Sequence, residues 1–401
     1  MYPHRIRLIG PWEYEPIERT WVNPDSSGRA NAAVGRLPPA GRMRIPAPWF
    51  GTALDGFRGR VRWRRGFHAP RSLAPDERLW IVFDGVDYFA DVALNGTRLG
   101  RHEGYFEPFE FEVTSLVRPH NELVVEVDCP IENTHLARRL MRGARDTRNA
   151  ARADGIWREV ALEVRSGAFL SDVAVRTDLV ESRGVIQATG RIVRHADVSL
   201  TLELTVDGDF RMAHEVPAAA VGAEFHMETV VDPPELWWPR NLGEPRAYCV
   251  ALELHGLART LDSRQVSIGF RSLEVDEHKF RAAVNGRRLP AWFVGLGQFL
   301  SPGQFDLSDA VCRDALLSRV VADPTTLVLV DTQREVLAPA FYDAADTSGF
   351  FVWQDSPASA PRPDDPAHAA ESRRQTGAMV RLLGHHPSVV FPPSVCQDRE
   401  I

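Results

Sequence analysis

The residues best equipped for chemistry gather toward the C-terminus. There Gly384-His385-His386-Pro387-Ser388 leads into the apolar run 389–391, and Cys396-Gln397 follows. Two imidazoles invite metal binding or proton transfer, but adjacent side chains point apart and the spacing offers no third ligand. A helix-end histidine beside a solvent-facing one is the simpler reading. Asp355 lies just past the strand-like run 350–353. A carboxylate at the C-terminal end of a parallel strand can face a ligand, and a surface carboxylate before a loop is the equal rival. His102-Glu103 has the residue types of an acid/base pair, yet it adjoins Gly104, where a turn or interdomain contact is expected. Gly295-Leu296-Gly297 lacks the third glycine and the acidic partner of a nucleotide loop. Trp157, Trp237 and Trp238 could stack on sugar faces, but their context favours cores or domain seams.

Three kinds of segment must position these groups. Up to about residue 165 the pattern is short strands punctuated by turn residues, the signature of an all-β sandwich. Residues 79–83 form a continuous apolar run, and Asn95-Gly96 between apolar strands predicts a tight hairpin. From 166 to 275, Leu200, Leu202, Leu204 and Val206 alternate with polar residues before Asp207-Gly208, and Tyr248, Val250, Leu252 and Leu254 repeat the period of two. That length fits an immunoglobulin-like β-sandwich, a fold of about 100 residues. From 276 the rhythm changes: the hairpin Asn285-Gly286, strands at 291–294, 326–330, 350–353 and 389–391, and helices at 308–321, 339–348 and 366–383. Such alternation predicts parallel strands with right-handed crossovers, about four of them, which is half of a closed (β/α)₈ barrel. The Pro- and Ala-rich stretch 356–365 reads as a long βα loop.

Bulk composition narrows the partners. The 401 residues are 44% hydrophobic, enough for several buried cores, and carry a formal charge of −7 with no block of Lys or Arg. Nucleic acid and anionic membranes are therefore excluded as main partners. Cys129, Cys249, Cys312 and Cys396 stand far apart with no CxxC pair, so neither a zinc knuckle nor a disulfide framework is expected. The N-terminal residues lack a signal-peptide core, no stretch approaches the ~20 apolar residues of a membrane helix, and a cytoplasmic location is expected.

Several motifs together resemble glycoside hydrolase family two, the family of β-galactosidases, β-glucuronidases and β-mannosidases. Ile45-Pro46-Ala47-Pro48-Trp49, Gly59-Arg60-Val61-Arg62-Trp63, Asp84-Gly85-Val86-Asp87, Leu94-Asn95-Gly96 and Gly155-Ile156-Trp157-Arg158 are similar to its jelly-roll sugar-binding domain. Leu236-Trp237-Trp238-Pro239 and Ser267-Ile268-Gly269-Phe270-Arg271 resemble its immunoglobulin-like domain, and Asn285-Gly286-Arg287 its entry to a barrel. Phe341-Tyr342-Asp343-Ala344-Ala345-Asp346 with Val352-Trp353-Gln354-Asp355 is most similar to the β-mannosidase branch. The resemblance implies a multidomain chain: a jelly roll over 1–165, an immunoglobulin-like sandwich over 166–275, and the N-terminal half of a TIM-type barrel over 276–401.

The same resemblance implies a damaged active site. Retaining members use two carboxyl groups about 5–5.5 Å apart. Aligned from His386, the acid/base position holds Gln397, with Cys396 for the preceding Asn and Pro392 for the Trp of the approach. An amide cannot protonate a leaving group, a step worth about 10²–10⁴-fold. Gly295-Leu296-Gly297 and the run 326–329 also lack the family's Asn and Arg, and the nucleophile is expected from a later strand. The expectation is a homologue without autonomous catalysis whose Trp353, Asp355 and Gln397 face a carbohydrate ligand, with no cofactor or metal. Self-association or a partner chain would cover the half barrel. The alternatives are one subunit of a split β-mannosidase- or β-galactosidase-like hydrolase, and a scaffold with no sugar affinity.

Overall fold

The computed structural model describes residues 4–19, 37–47, 49, 51–55, 57–70, 72–129, 154–195, 198–216, 222–240, 242–276, 281–289, 294–295, 329–331, 336–356, 366–392 and 395. Backbone contacts divide the chain into two compact units, one built on Pro3–Arg139 with Ala150–Ser166, the other on Gly167–Ile401.

The first unit is antiparallel throughout. A four-stranded sheet runs in the order His4–Arg7, Val160–Ser166, Glu77–Phe83, Phe109–Glu112. A six-stranded sheet runs Gly41–Ile45, Gly10–Arg19, Gly59–His68, His120–Cys129, Tyr88–Leu94, Thr97–Gly104. Alternation explains the buried faces: Ala90, Val92 and Leu94 are buried from one strand, and Leu123, Val125 and Val127 from its neighbour. Asn95 and Gly96 take positive φ of 51° and 82°, as their tight hairpin requires. These two sheets fit a jelly roll.

The second unit opens with a sandwich of three strands against four. Ala168–Val180, Arg183–Arg194 and Ala223–Val231 form one sheet; Asp209–Val216, Leu200–Val206, Tyr248–Gly256 and Arg259–Ile268 form the other. Leu200, Leu202, Leu204 and Val206 point into a common core with Ile186, Ala188, Val250, Leu252 and Leu254. The arrangement fits an immunoglobulin-like domain.

A short antiparallel sheet, Leu273–Asp276, Arg281–Val284 and Arg287–Arg288, follows and turns at Asn285-Gly286. The chain then changes to parallel pairing. Val294–Gly295, Leu329–Asp331, Phe351–Trp353 and Val389–Val390 lie side by side in chain order, all parallel. The helix Pro339–Ser348 precedes the third strand and Pro366–Leu383 the fourth. Proline at the first helical turn starts Pro339–Ser348, and Gly349 ends it in the left-handed region with φ 70° and a 2.9 Å bond from its N–H to Ala345 O. The expected helix 308–321, Leu296, Gly297, Cys312, Cys396 and Gln397 lie outside the described residues, as does most of the loop 356–365.

Gly349 also meets backbone from the sandwich side: a Cβ there would come 2.7 Å from Arg240 N. At Gly286, with φ 75°, nothing lies within 4 Å. Alanine at Gly286 should therefore carry only the left-handed penalty of about 1–2 kcal/mol. Alanine at Gly349 should carry that penalty plus the displacement of backbone. Urea unfolding of the two variants should rank Gly349→Ala as clearly the less stable.

Candidate functional site

Two ends of the parallel sheet carry the residues of interest. Trp353 is the last residue of its strand, half-buried, and packs on Trp237, Val284, Phe351 and Val390. The next residue, Gln354, is fully buried: its N–H donates to Val390 O at 2.9 Å and its Oε1 accepts from Tyr342 Oη at 2.8 Å. The same Tyr342 oxygen accepts the Leu337 N–H at 3.0 Å, and Gln354 Nε2 donates to Asp355 O at 3.1 Å. This relay fixes the backbone that carries Asp355, whose Oδ1 accepts the Ser356 N–H at 2.8 Å. Ser356 Oγ is in turn 2.7 Å from Thr376 Oγ1 on the helix Pro366–Leu383. Trp353 and Asp355 thus share the C-terminal strand end. Gln397 lies outside the described residues, so no distance relates it to them.

At the opposite, N-terminal end of the strands lies a cluster that sequence reading missed. Asp346, buried in the helix Pro339–Ser348, accepts from Ser388 Oγ at 2.5 Å and Ser388 N at 3.1 Å through Oδ1. Its Oδ2 accepts from His386 Nδ1 at 2.7 Å, the carboxylate partner assigning the proton to that nitrogen. The His-Pro-Ser triplet was visible in sequence; its acceptor, forty residues earlier in the chain, was not.

Two expectations need correcting here. His385 and His386 do not point apart, since their ring centroids are 3.9 Å apart, and His386 is buried rather than solvent-facing. A ligand-type neighbour also exists, because Asp343, Asp346 and His386 bring ligand atoms within 4.8 Å of one another. Both Asp346 oxygens, however, are already acceptors for protein hydrogens. In the first unit Asp87, Cys129 and Asp154 also lie within 4.8 Å, with Arg58 placed 3.2 Å from Asp154 as a cationic partner.

Electrostatics follow burial. Desolvation, reinforced by the neighbouring His386, pushes the His385 pKa down to about 3. Desolvation with the added repulsion of Asp346 raises that of Asp343, against the pull of His386. Arg271 donates to the carbonyls of Pro387 and, at 2.6 Å, Val389. Its desolvation, opposed by the charge of Asp346, lowers its pKa to about 10, which leaves it charged near neutrality.

The tryptophans are structural in their contacts. Trp237 is fully buried and donates from Nε1 to Asp346 O at 3.0 Å. Trp157 donates to Tyr105 O at 2.7 Å under the Arg158 guanidinium. His102 and Glu103 belong to the strand Thr97–Gly104 rather than a loop: the imidazole stacks on Phe109 at 4.0 Å and Glu103 accepts from Tyr88 Oη at 3.1 Å.

Replacing Asp346 by Asn removes one of two acceptor oxygens and should cost about 1–3 kcal/mol for the donor left unpaired, read by chemical denaturation. The His385 shift gives a pH dependence. Below its ordinary value of 6.5 the unfolded chain takes up a proton that the folded chain refuses until about pH 3. The unfolded state then binds more protons, so stability falls as pH drops through that window. Asp343 acts in the opposite sense near the carboxylate range, so the difference between parent and variant is the readout. The parent's denaturation midpoint should fall more steeply with acidification than that of His385→Gln.

Residues 45–156 match the glycosyl hydrolase 2 galactose-binding domain-like family, and residues 168–271 match glycosyl hydrolases family 2. The chain is 28% identical over 386 residues to β-mannosidase B of Thermothelomyces thermophilus, covering 86% of this chain and 44% of that protein. It therefore spans less than half the length of that relative. The fold is similar to that of β-D-mannosidase from Dictyoglomus thermophilum, with TM-score 0.73 at 20% identity over 97% of this chain and 52% of the other. For Bacteroides uniformis β-glucuronidase the TM-score is 0.72 at 19% identity, over 97% and 46% of the two chains. With both β-sandwiches matched in order to successive domains of glycoside hydrolase family two, and with a β-mannosidase relative aligned across most of this chain, the protein is glycoside hydrolase family two-like.

Proposed function

We propose that these 401 residues form the jelly roll, the immunoglobulin-like sandwich and the first strands of a (β/α) barrel in a β-mannosidase-like architecture, and that they engage carbohydrate or support an assembly without hydrolysing glycosides themselves. The observation that carries this reading is the amide residue Gln397, which alignment with the family from His386 would set at the acid/base position. An amide can hold a sugar hydroxyl by hydrogen bonds but has no proton to give the leaving oxygen. Supporting it are the four parallel strands in chain order and the placement of Trp353 and Asp355 at their C-terminal end, the end at which barrel folds put their ligands. An indole and a carboxylate at one strand end suit a pyranose, one able to offer a face for C–H groups and the other an acceptor for hydroxyls.

A split hydrolase is the second reading, and the sheet edges favour it. Among the described residues neither Val294–Gly295 nor Val389–Val390 pairs with a further strand on its outer side. Open parallel edges call for more strands, from the same or another polypeptide.

Purified chain at high concentration should release no nitrophenol from aryl β-mannosides, β-galactosides or β-glucuronides, whose good leaving groups need little acid assistance. Turnover that persists through further purification would overturn the non-hydrolytic reading. Calorimetric titration with manno-, galacto- and glucurono-configured oligosaccharides should give heat with at least one, and Asp355→Ala should weaken it. Absence of heat with all three would remove the binding role and leave assembly.

A further inference from the structure

An open sheet edge invites pairing with another chain, and folded proteins blunt such edges with short strands, bulges, prolines or lysines. Among the described residues the edges of the two sandwiches follow this rule with one exception. The edge strands His4–Arg7, Gly41–Ile45 and Phe109–Glu112 have only four or five residues. Thr97–Gly104, Ala168–Val180, Asp209–Val216 and Arg259–Ile268 are longer, but each breaks register with its neighbour at a bulge-type irregularity. Ala223–Val231 has neither device. Its nine residues stay in unbroken antiparallel register with Arg183–Arg194, from Ala223 opposite Ile192 to Val231 opposite Gly184. On its other side it pairs with no described strand, and it contains no proline, lysine or arginine. Glu224, His226, Glu228 and Val230 stand exposed on one face, Val230 at 41%, while Phe225 and Met227 are buried in the sandwich core on the other.

We propose that Ala223–Val231 is a self-association edge that joins two copies of this chain, antiparallel, about a two-fold axis at Met227. A second copy is the partner that fits because the strand is complementary to itself. In the register that pairs all nine residues, His226 of each copy faces Glu228 of the other, so an imidazole meets a carboxylate twice. Gln187 Nε2 donates to Glu228 Oε2 at 2.9 Å and anchors that carboxylate on the exposed face. Slipping by two residues sets glutamate against glutamate in either direction, Glu224 against Glu228 one way and Glu228 against itself the other. Slipping by one residue opposes the buried face of one copy to the exposed face of the next. The three-stranded sheet of each copy then continues into that of the other. This contact is separate from the open edges of the half barrel, whose completion calls for parallel strands.

Sedimentation of the full chain across the micromolar to hundred-micromolar range tests the assignment. The parent should associate with rising concentration, and His226→Glu, which faces Glu228 of the second copy with a like charge twice, should weaken that association at least about tenfold. The exchanged pair His226→Glu with Glu228→His should restore it, which loss of a merely structural residue would not. The difference between parent and variant is the readout, so assembly through the barrel edges does not mask it. Amide hydrogen exchange over 223–231 should slow on dimerisation in the parent and not in His226→Glu. Far-ultraviolet circular dichroism checks that each variant has folded, and Val230→Glu, which opposes Glu224 of the second copy, serves if His226→Glu has not. A parent that stays monomeric throughout, or association that is equal in the parent and in the folded single variants, overturns the proposal.

Discussion

The carboxylate of Asp346, withdrawn from water, accepts two bonds from Ser388 and one from His386, while its backbone carbonyl accepts the indole N–H of Trp237. A buried carboxylate is tolerated only when its lone pairs are filled, and here both filling residues, His386 and Ser388, come from the segment entering the last parallel strand. With the Trp237 bond to the backbone carbonyl, the cluster joins that segment, the helix that carries Asp346 and the sandwich side. Arg271, at the end of the sandwich, adds bonds to the carbonyls on either side of Ser388. The parallel sheet is thereby tied at its N-terminal end to the preceding β domain. The opposite end is held by a neutral relay, Tyr342 to Gln354, which leaves Trp353 and Asp355 at the strand terminus.

The two ends of the parallel sheet differ in character: the charged network lies at the N-terminal ends of the strands and the neutral relay at the C-terminal ends. Tyr342 joins the two, since its ring lies 5.4 Å from that of His386 while its hydroxyl serves Gln354.

How much of this was legible in the sequence depended on the range of the signal. Alternation at 200–206 and 248–254 wrote the sandwich strands directly, because a half-buried strand repeats every two residues. Asn95-Gly96, Asp207-Gly208 and Asn285-Gly286 announced their turns, because few other residues accept positive φ. Pro339 and Gly349 bracketed a helix for local backbone reasons. The strand Thr97–Gly104 was misjudged around His102-Glu103 because its burial is irregular and its glycine reads as a turn. The Asp346 network could not be read at all: its members are polar, lie far apart in the chain, and meet only once the parallel strands have paired.

Trp237, Arg271 and Asn285 also say where the chain can be divided. A boundary at 275/276 is sensible in sequence, since the pattern of apolar residues changes there. Yet Trp237 lies in one core with Phe351 and Val390, and Asn285 Nδ2 donates to the carbonyl of Trp237 at 3.0 Å. A fragment beginning at 276 would leave the donors to Asp346 O, Pro387 O and Val389 O behind and bare an aromatic seam to solvent. The immunoglobulin-like sandwich is in this sense a folding template for the α/β segment, and exchange of modules between relatives would have to carry the two together.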